Sequence, residues 1–110
     1  MAIRTFAAID VGSFELEMGI YEMSYKTGIW RVDHIRHVIA LGKDTYSGGK
    51  ISYGLVEEMC QVLGEFAQIM KAYRVKDYRA YATSAMREAR NNQIILDQIR
   101  VRKGLTVRKI

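Results

Sequence analysis

A chain of 110 residues with 49% hydrophobic content can bury a real core, which excludes a disordered tail and fits one domain or a piece of one. No apolar run reaches the length of a membrane span and the N-terminus lacks the basic-then-apolar pattern of a secretory signal, so a cytoplasmic setting is the expectation; the lone Cys60 excludes a disulfide or thiolate metal site within one chain. Seventeen Lys and Arg against twelve Asp and Glu give +5, which favours polyanionic partners, yet the basic residues scatter except for Arg100, Arg102, Lys103, Arg108 and Lys109 around a helix end, so nucleic acid ranks last among them.

Phe6 to Ser13 opens the chain as a buried strand that ends in a carboxylate, a glycine and a hydroxyl. Such an ending suits a phosphate. Gly12 permits a turn in which the amides around Val11 to Phe14 converge on an anion, Ser13 adds a hydroxyl donor, and Asp10 is placed for a cation standing between it and bound oxygens. The plain alternative is a turn in which Asp10 is a local cap.

Phe14, Leu16, Met18 and Ile20 then alternate with Glu15, Glu17, Gly19 and Tyr21, a second strand antiparallel to the first. After the turn Lys26-Thr27-Gly28, a third strand runs from Ile29 to Leu41, with Ile29, Arg31, Asp33, Ile35, His37 and Ile39 expected on one face. His34 and His37 differ in parity and are expected on opposite faces, sharing no metal. Leu41 to Lys50, rich in glycine and polar residues, reads as a flexible connection.

From Ser52, the expected N-cap, the period becomes helical, with Leu55, Val56, Met59, Cys60, Val62, Leu63, Phe66, Ile69, Met70 and Tyr73 on one stripe. Tyr78 to Ala82 is a short strand that joins the sheet parallel to the first by a right-handed crossover. Thr83 and Ser84 follow at its carboxyl end, and the helix-like residues after them carry Arg87, a placement suited to anion contacts. In the competing reading Ser84 caps the turn and Arg87 pairs with Glu88 or Glu57. A last helix from about Asn92 stops at Gly104, and Leu105 to Ile110 begins a fifth strand.

The order strand, strand, strand, helix, strand, helix, strand predicts an α/β fold. It looks like one half of the ribonuclease H-like, actin-like ATPase fold: a mixed five-stranded sheet with an antiparallel meander, then two strands parallel to the first. More narrowly, Ala8-Ile9-Asp10-Val11-Gly12-Ser13, Leu41-Gly42 with Gly49-x-Ile51-Ser52, and above all Ala82-Thr83-Ser84-Ala85-Met86-Arg87-Glu88-Ala89-Arg90-Asn91 resemble the exopolyphosphatase and guanosine pentaphosphate phosphatase family (Ppx/GppA). The resemblance spans nearly the whole chain.

It implies that Gly12, Ser13, Thr83, Ser84 and Arg87 bind phosphate, that Asp10 serves a Mg2+ ion, and that the substrate is inorganic polyphosphate or pppGpp. It also implies that residues 1–110 are the first part of one lobe, that the catalytic glutamate lies past Ile110, and that the complete protein forms a homodimer. In the family an Asn-Ser pair usually follows Gly-Ser, whereas Phe14 and Glu15 stand here; Glu15 would repel a polyanion if it faced the turn. Those two residues leave room for a regulatory module that binds polyphosphate or guanosine polyphosphate without cleaving it, and behind it for another actin-like phosphotransferase.

Overall fold

A computed structural model describes residues 3–110. Along the chain run β1 (Arg4–Val11), β2 (Glu15–Ser24), β3 (Gly28–Val38), α1 (Leu41–Gly48), α2 (Tyr53–Ala72), β4 (Asp77–Ala82), α3 (Ser84–Glu88), α4 (Asn92–Lys103) and β5 (Arg108–Lys109). The strands lie in the order β3-β2-β1-β4-β5, with β1-β2-β3 antiparallel and β1, β4 and β5 parallel. This is the mixed sheet expected from the sequence.

Alternation sorts the two faces. Ala7, Ile9 and Val11 of β1, Leu16, Met18 and Ile20 of β2, and Ala80 and Ala82 of β4 all point into one hydrophobic cluster. Against them pack Val56, Met59, Cys60, Leu63 and Phe66 of α2 with Ile95 and Ile99 of α4, while Leu105 and Val107 close its end. Alanines on the sheet opposite phenylalanine and methionine on the helix let the layers approach closely. The other face of the sheet carries Phe6, Ala8, Asp10, Glu15, Glu17, Tyr21 and Tyr81, with the Phe6 and Tyr21 rings stacked at 5.3 Å. Among the described residues no helix is long and apolar enough to cross a membrane.

Three expectations need correction. Leu41 to Lys50 is not a flexible connection but holds α1, which forms because Leu41 and Thr45, one turn apart, are both buried, and which Gly49 ends in a left-handed conformation at φ 80°. The six residues assigned to one face of the third strand split, because Ile20 pairs with Asp33 while Tyr21 pairs with Arg31, leaving Val32 as an extra residue in a bulge. Asp33, Ile35 and His37 therefore share the core-side face with Trp30, and Ile29 and Arg31 turn to the other. Finally, the fifth strand is confined to Arg108–Lys109, although the buried Leu105 and Val107 lead into it.

Ser52 does stand at the N-cap of α2, but its hydroxyl makes no capping bond; its amide donates to Asp44 of α1 at 2.7 Å. His34 and His37 lie on opposite faces, beside Glu17 at 3.8 Å and Glu58 at 2.8 Å. The basic residues near the end are largely engaged: Arg102 grips Glu57 through two 2.8 Å bonds, Arg100 lies 3.9 Å from Asp97, and Lys109 donates to Asn92.

Candidate functional site

Three segments meet at the carboxyl ends of β1 and β4. The first is the hairpin between β1 and β2, closed by the Gly12 amide donating to Glu15 O at 3.0 Å, so that Ser13 and Phe14 form its two-residue tip. The second is the first turn of α1, whose Gly42 amide donates to Ser13 O at 2.9 Å; just before it, Ile39 N donates to Phe14 O at 2.9 Å. The third is the junction of β4 and α3, where Thr83 N donates to Val11 O at 3.2 Å and the Ser13 and Ser84 hydroxyls lie 3.4 Å apart. Residues 71 positions apart in sequence thus share one small polar surface.

The anchoring explains how two short helices hold a site. Thr45 is buried, and its hydroxyl donates to Ala85 O at 2.8 Å, fixing α1 against α3. Gly42 sits so close to the hairpin that a Cβ there would lie 3.1 Å from Ser13 Cβ and 3.2 Å from the Tyr46 ring. Beyond α3, the Asn91 amide group brackets Ile51, accepting from its N–H at 3.2 Å and donating to its C=O at 2.9 Å, while Arg90 lies over Gly49 and its amide donates to Gly49 O at 2.8 Å. Within the block Ala82–Asn91, the last two residues therefore clamp the connection between α1 and α2 rather than face the hairpin.

Each predicted site residue can now be placed. Ser13 and Ser84 come together at the tip, while Thr83, its amide bonded to Val11 O, lines the cleft on the open face with Asp10. Gly12 lies in the same turn, but its amide is committed to the hairpin, and the Ser13 and Phe14 amides are the ones left at the tip. Ser84 is the first residue of α3 rather than its cap, so its hydroxyl is available to Ser13. Arg87 follows one turn later, its amide bonded to Thr83 O at 2.9 Å. Its half-exposed guanidinium donates to Ile110 O at 2.7 Å and lies 3.7 Å from Glu88; Glu57 is taken by Arg102.

Asp10 is exposed on the open sheet face. With Glu17, His34, Tyr81, Thr83 and Ile110 it lines a cleft of about 510 Å³, so Arg87 reaches the rim of the cleft that Asp10 enters. Among the described residues no group of three His, Cys, Asp or Glu side chains could hold a metal.

Glu15 does not face the tip. It leaves β2 on the open face and pairs with Arg36 at 2.6 Å and 3.0 Å, which holds its carboxyl below the usual range, aided by the neighbouring Glu17. Glu17 moves the other way, its carboxyl raised by its hydrogen bond to Glu15 and by burial. Two residues of consequence, Gly42 and Arg36, were given no site role from the sequence, although Gly42 belongs to the Leu41-Gly42 pair. The closeness of Gly42 to Ser13 is recognisable only once α1 is known to be a helix, and the role of Arg36 only from the strand register.

The sequence profile of the Ppx/GppA phosphatase family matches residues 23–110. Exopolyphosphatase 1 of Mycobacterium leprae is 29% identical over 98 residues, covering 88% of this chain and 29% of its own length. The crystal structure of the Aquifex aeolicus Ppx/GppA family member superposes with a TM-score of 0.95 at 27% identity, over 99% of this chain and 35% of that one. Thermus thermophilus RuvC, with a TM-score of 0.54 at 10% identity over 96% of this chain and 63% of its own, shares the fold alone. The chain spans about a third of the length of the relatives it matches in the family.

Proposed function

We propose that this chain, which belongs to the Ppx/GppA phosphatase family, supplies the first phosphate-binding lobe of a phosphohydrolase that releases terminal phosphate from inorganic polyphosphate or pppGpp. The observation that carries the reading is the 3.4 Å approach of Ser13 and Ser84, which joins the hairpin tip to the end of β4.

A phosphoryl group seated there would accept hydrogen bonds from the Ser13 and Phe14 amides and from the Ser13, Ser84 and Thr83 hydroxyls. Arg87, released from Ile110 O, would add a guanidinium able to follow charge onto the phosphoryl oxygens. A Mg2+ ion held by Asp10 would supply Lewis acidity and charge neutralisation when bound. The water-activating base is assigned, as the family resemblance implies, to another part of the complete protein, and the 110 residues alone are expected to be inert.

The experiment measures phosphate release by the complete protein from polyphosphate and from pppGpp, with Mg2+, beside the 110-residue chain. Release by the complete protein only, with Arg87→Ala lowering kcat/KM at least about tenfold, or about 1.4 kcal/mol, supports the reading. A folded complete protein inert towards both substrates overturns it. If Arg87→Ala instead lowers the melting temperature while activity per folded molecule holds, Arg87 serves to anchor Ile110.

A second reading, binding without turnover, is favoured by one observation: Phe14, 74% exposed, occupies the tip with Glu15 beside it. Saturable polyphosphate binding by the complete protein with no phosphate release selects that reading.

A further inference from the structure

Glu15 stands two residues past Ser13, near enough for an unpaired carboxylate to repel a phosphoryl group at the tip. The fold disposes of that charge in two steps. Leu16 is fully buried, so strand alternation sends Glu15 to the opposite, open face. There Arg36, directly across from Glu17 in register, donates from Nη2 and Nε to Glu15 Oε2 at 2.6 Å and 3.0 Å, with Nε 3.5 Å from Glu17 Oε1.

Asp10 pairs with Glu17 across the hairpin, so three carboxylates share this face beside the tip, and one guanidinium links two of them. Arg31 and His34 line the same cleft, but neither approaches Glu15 as Arg36 does. The Arg36 and Glu15 side chains are 58% and 29% exposed, and an ion pair that open to water adds little to folding. Its effect is therefore to be sought in the electrostatics of the tip.

We infer that Arg36 is a positioning residue for the phosphate site: by pinning and neutralising Glu15 on the open face, it allows a carboxylate to stand beside the phosphate-binding turn without repelling the substrate. The inference rests on the proposed phosphate site and names what sets its affinity for a polyanion.

The test is a double-mutant cycle in the complete protein, with polyphosphate and Mg2+ as the probe. Arg36→Met, which keeps the side chain's bulk and removes its charge, should raise KM by on the order of tenfold while kcat stays within about threefold. The defect should shrink as salt rises from about 0.05 M to about 0.5 M. Glu15→Gln in the Arg36→Met background should return KM to within about threefold of the unaltered protein, since the uncompensated charge is gone. Melting temperatures of the variants, measured in parallel, separate misfolding from weakened binding.

An Arg36→Met protein with unchanged KM overturns the inference. So does a double variant that fails to recover, because Arg36 would then touch substrate directly. An unaltered protein that neither binds nor cleaves polyphosphate or pppGpp overturns the reading of the site and takes this inference with it. Normal substrate handling by the unaltered protein with either of the first two results removes the inference alone.

Discussion

Gly42 shows how a residue without chemistry can set the geometry of a site. Its backbone is helical, so alanine would be the better helix former by about 1 kcal/mol, yet a Cβ there would press on Ser13 at 3.1 Å. The two effects oppose each other in stability and act together on the hairpin tip. Gly42→Ala is therefore expected to leave the melting temperature within a few degrees while lowering kcat/KM of the complete protein on the order of tenfold, because Ser13 must shift by a few tenths of an ångström. Thermal melts beside steady-state kinetics check both halves. At this scale the sequence pointed to Ser13 and Ser84 at two strand ends, and the fold brings their hydroxyls within 3.4 Å. It said less about Gly12, whose amide turned inward to Glu15 O, because hairpin closure depends on loop length rather than residue type. Arg36 could not be found from spacing, since the bulge at Val32 sets which β3 residues share the face of Glu15.

Among the elements, α1 is the one that local patterning misjudged. Leu41 to Gly48 contains two glycines, a serine and a threonine, weak helix formers that resemble a loop. What makes it helical is tertiary: buried Leu41, the Thr45 bond to Ala85 O, and the Asp44 carboxylate receiving the Ser52 amide. α2, by contrast, was legible from its apolar stripe, although Tyr73, expected on that stripe, is the exposed C-cap and donates to Asp33, and Gly104, with φ 70°, ends α4 as expected. The clamp between α3 and the α1–α2 connection depends on Asn91. Replacing Asn91 with alanine leaves the N–H and C=O of Ile51, a residue only 2% exposed, without their partners. A loss of about 2 kcal/mol is expected, seen as a melting temperature lower by about 10 °C. Asn91→Asp keeps the acceptor but sets a carboxylate oxygen against Ile51 O, and should cost at least as much as alanine.

For the molecule as a whole, the order of strands and helices was legible because each long element has a clear period and each crossover a single allowed hand. Its response to acid follows from how the elements are tied together. Arg36 holds Glu15 below the ordinary carboxylate range, Tyr73 does so for Asp33, Ser52 for Asp44 and Arg102 for Glu57, whereas Glu17 is displaced upward. A carboxyl held low in the folded state takes up protons more readily when unfolded. Its contribution is present above the ordinary value and is lost as pH falls through the folded one. Glu17 has the opposite sign and opposes the other four over part of that range. The melting temperature should therefore be level from about pH 5 to about pH 8 and drop below about pH 4. Glu57→Gln should make that drop shallower, and added salt should reduce it, because these groups lie at the surface. A melting temperature that rises on acidification would refute the assignment.

The extra residue at Val32 sits on the outermost strand, which elsewhere offers a long row of free peptide groups to any passing chain. By interrupting that row and adding local twist, it gives a neighbour a poorer template for sheet extension along the eleven-residue edge of the described sheet.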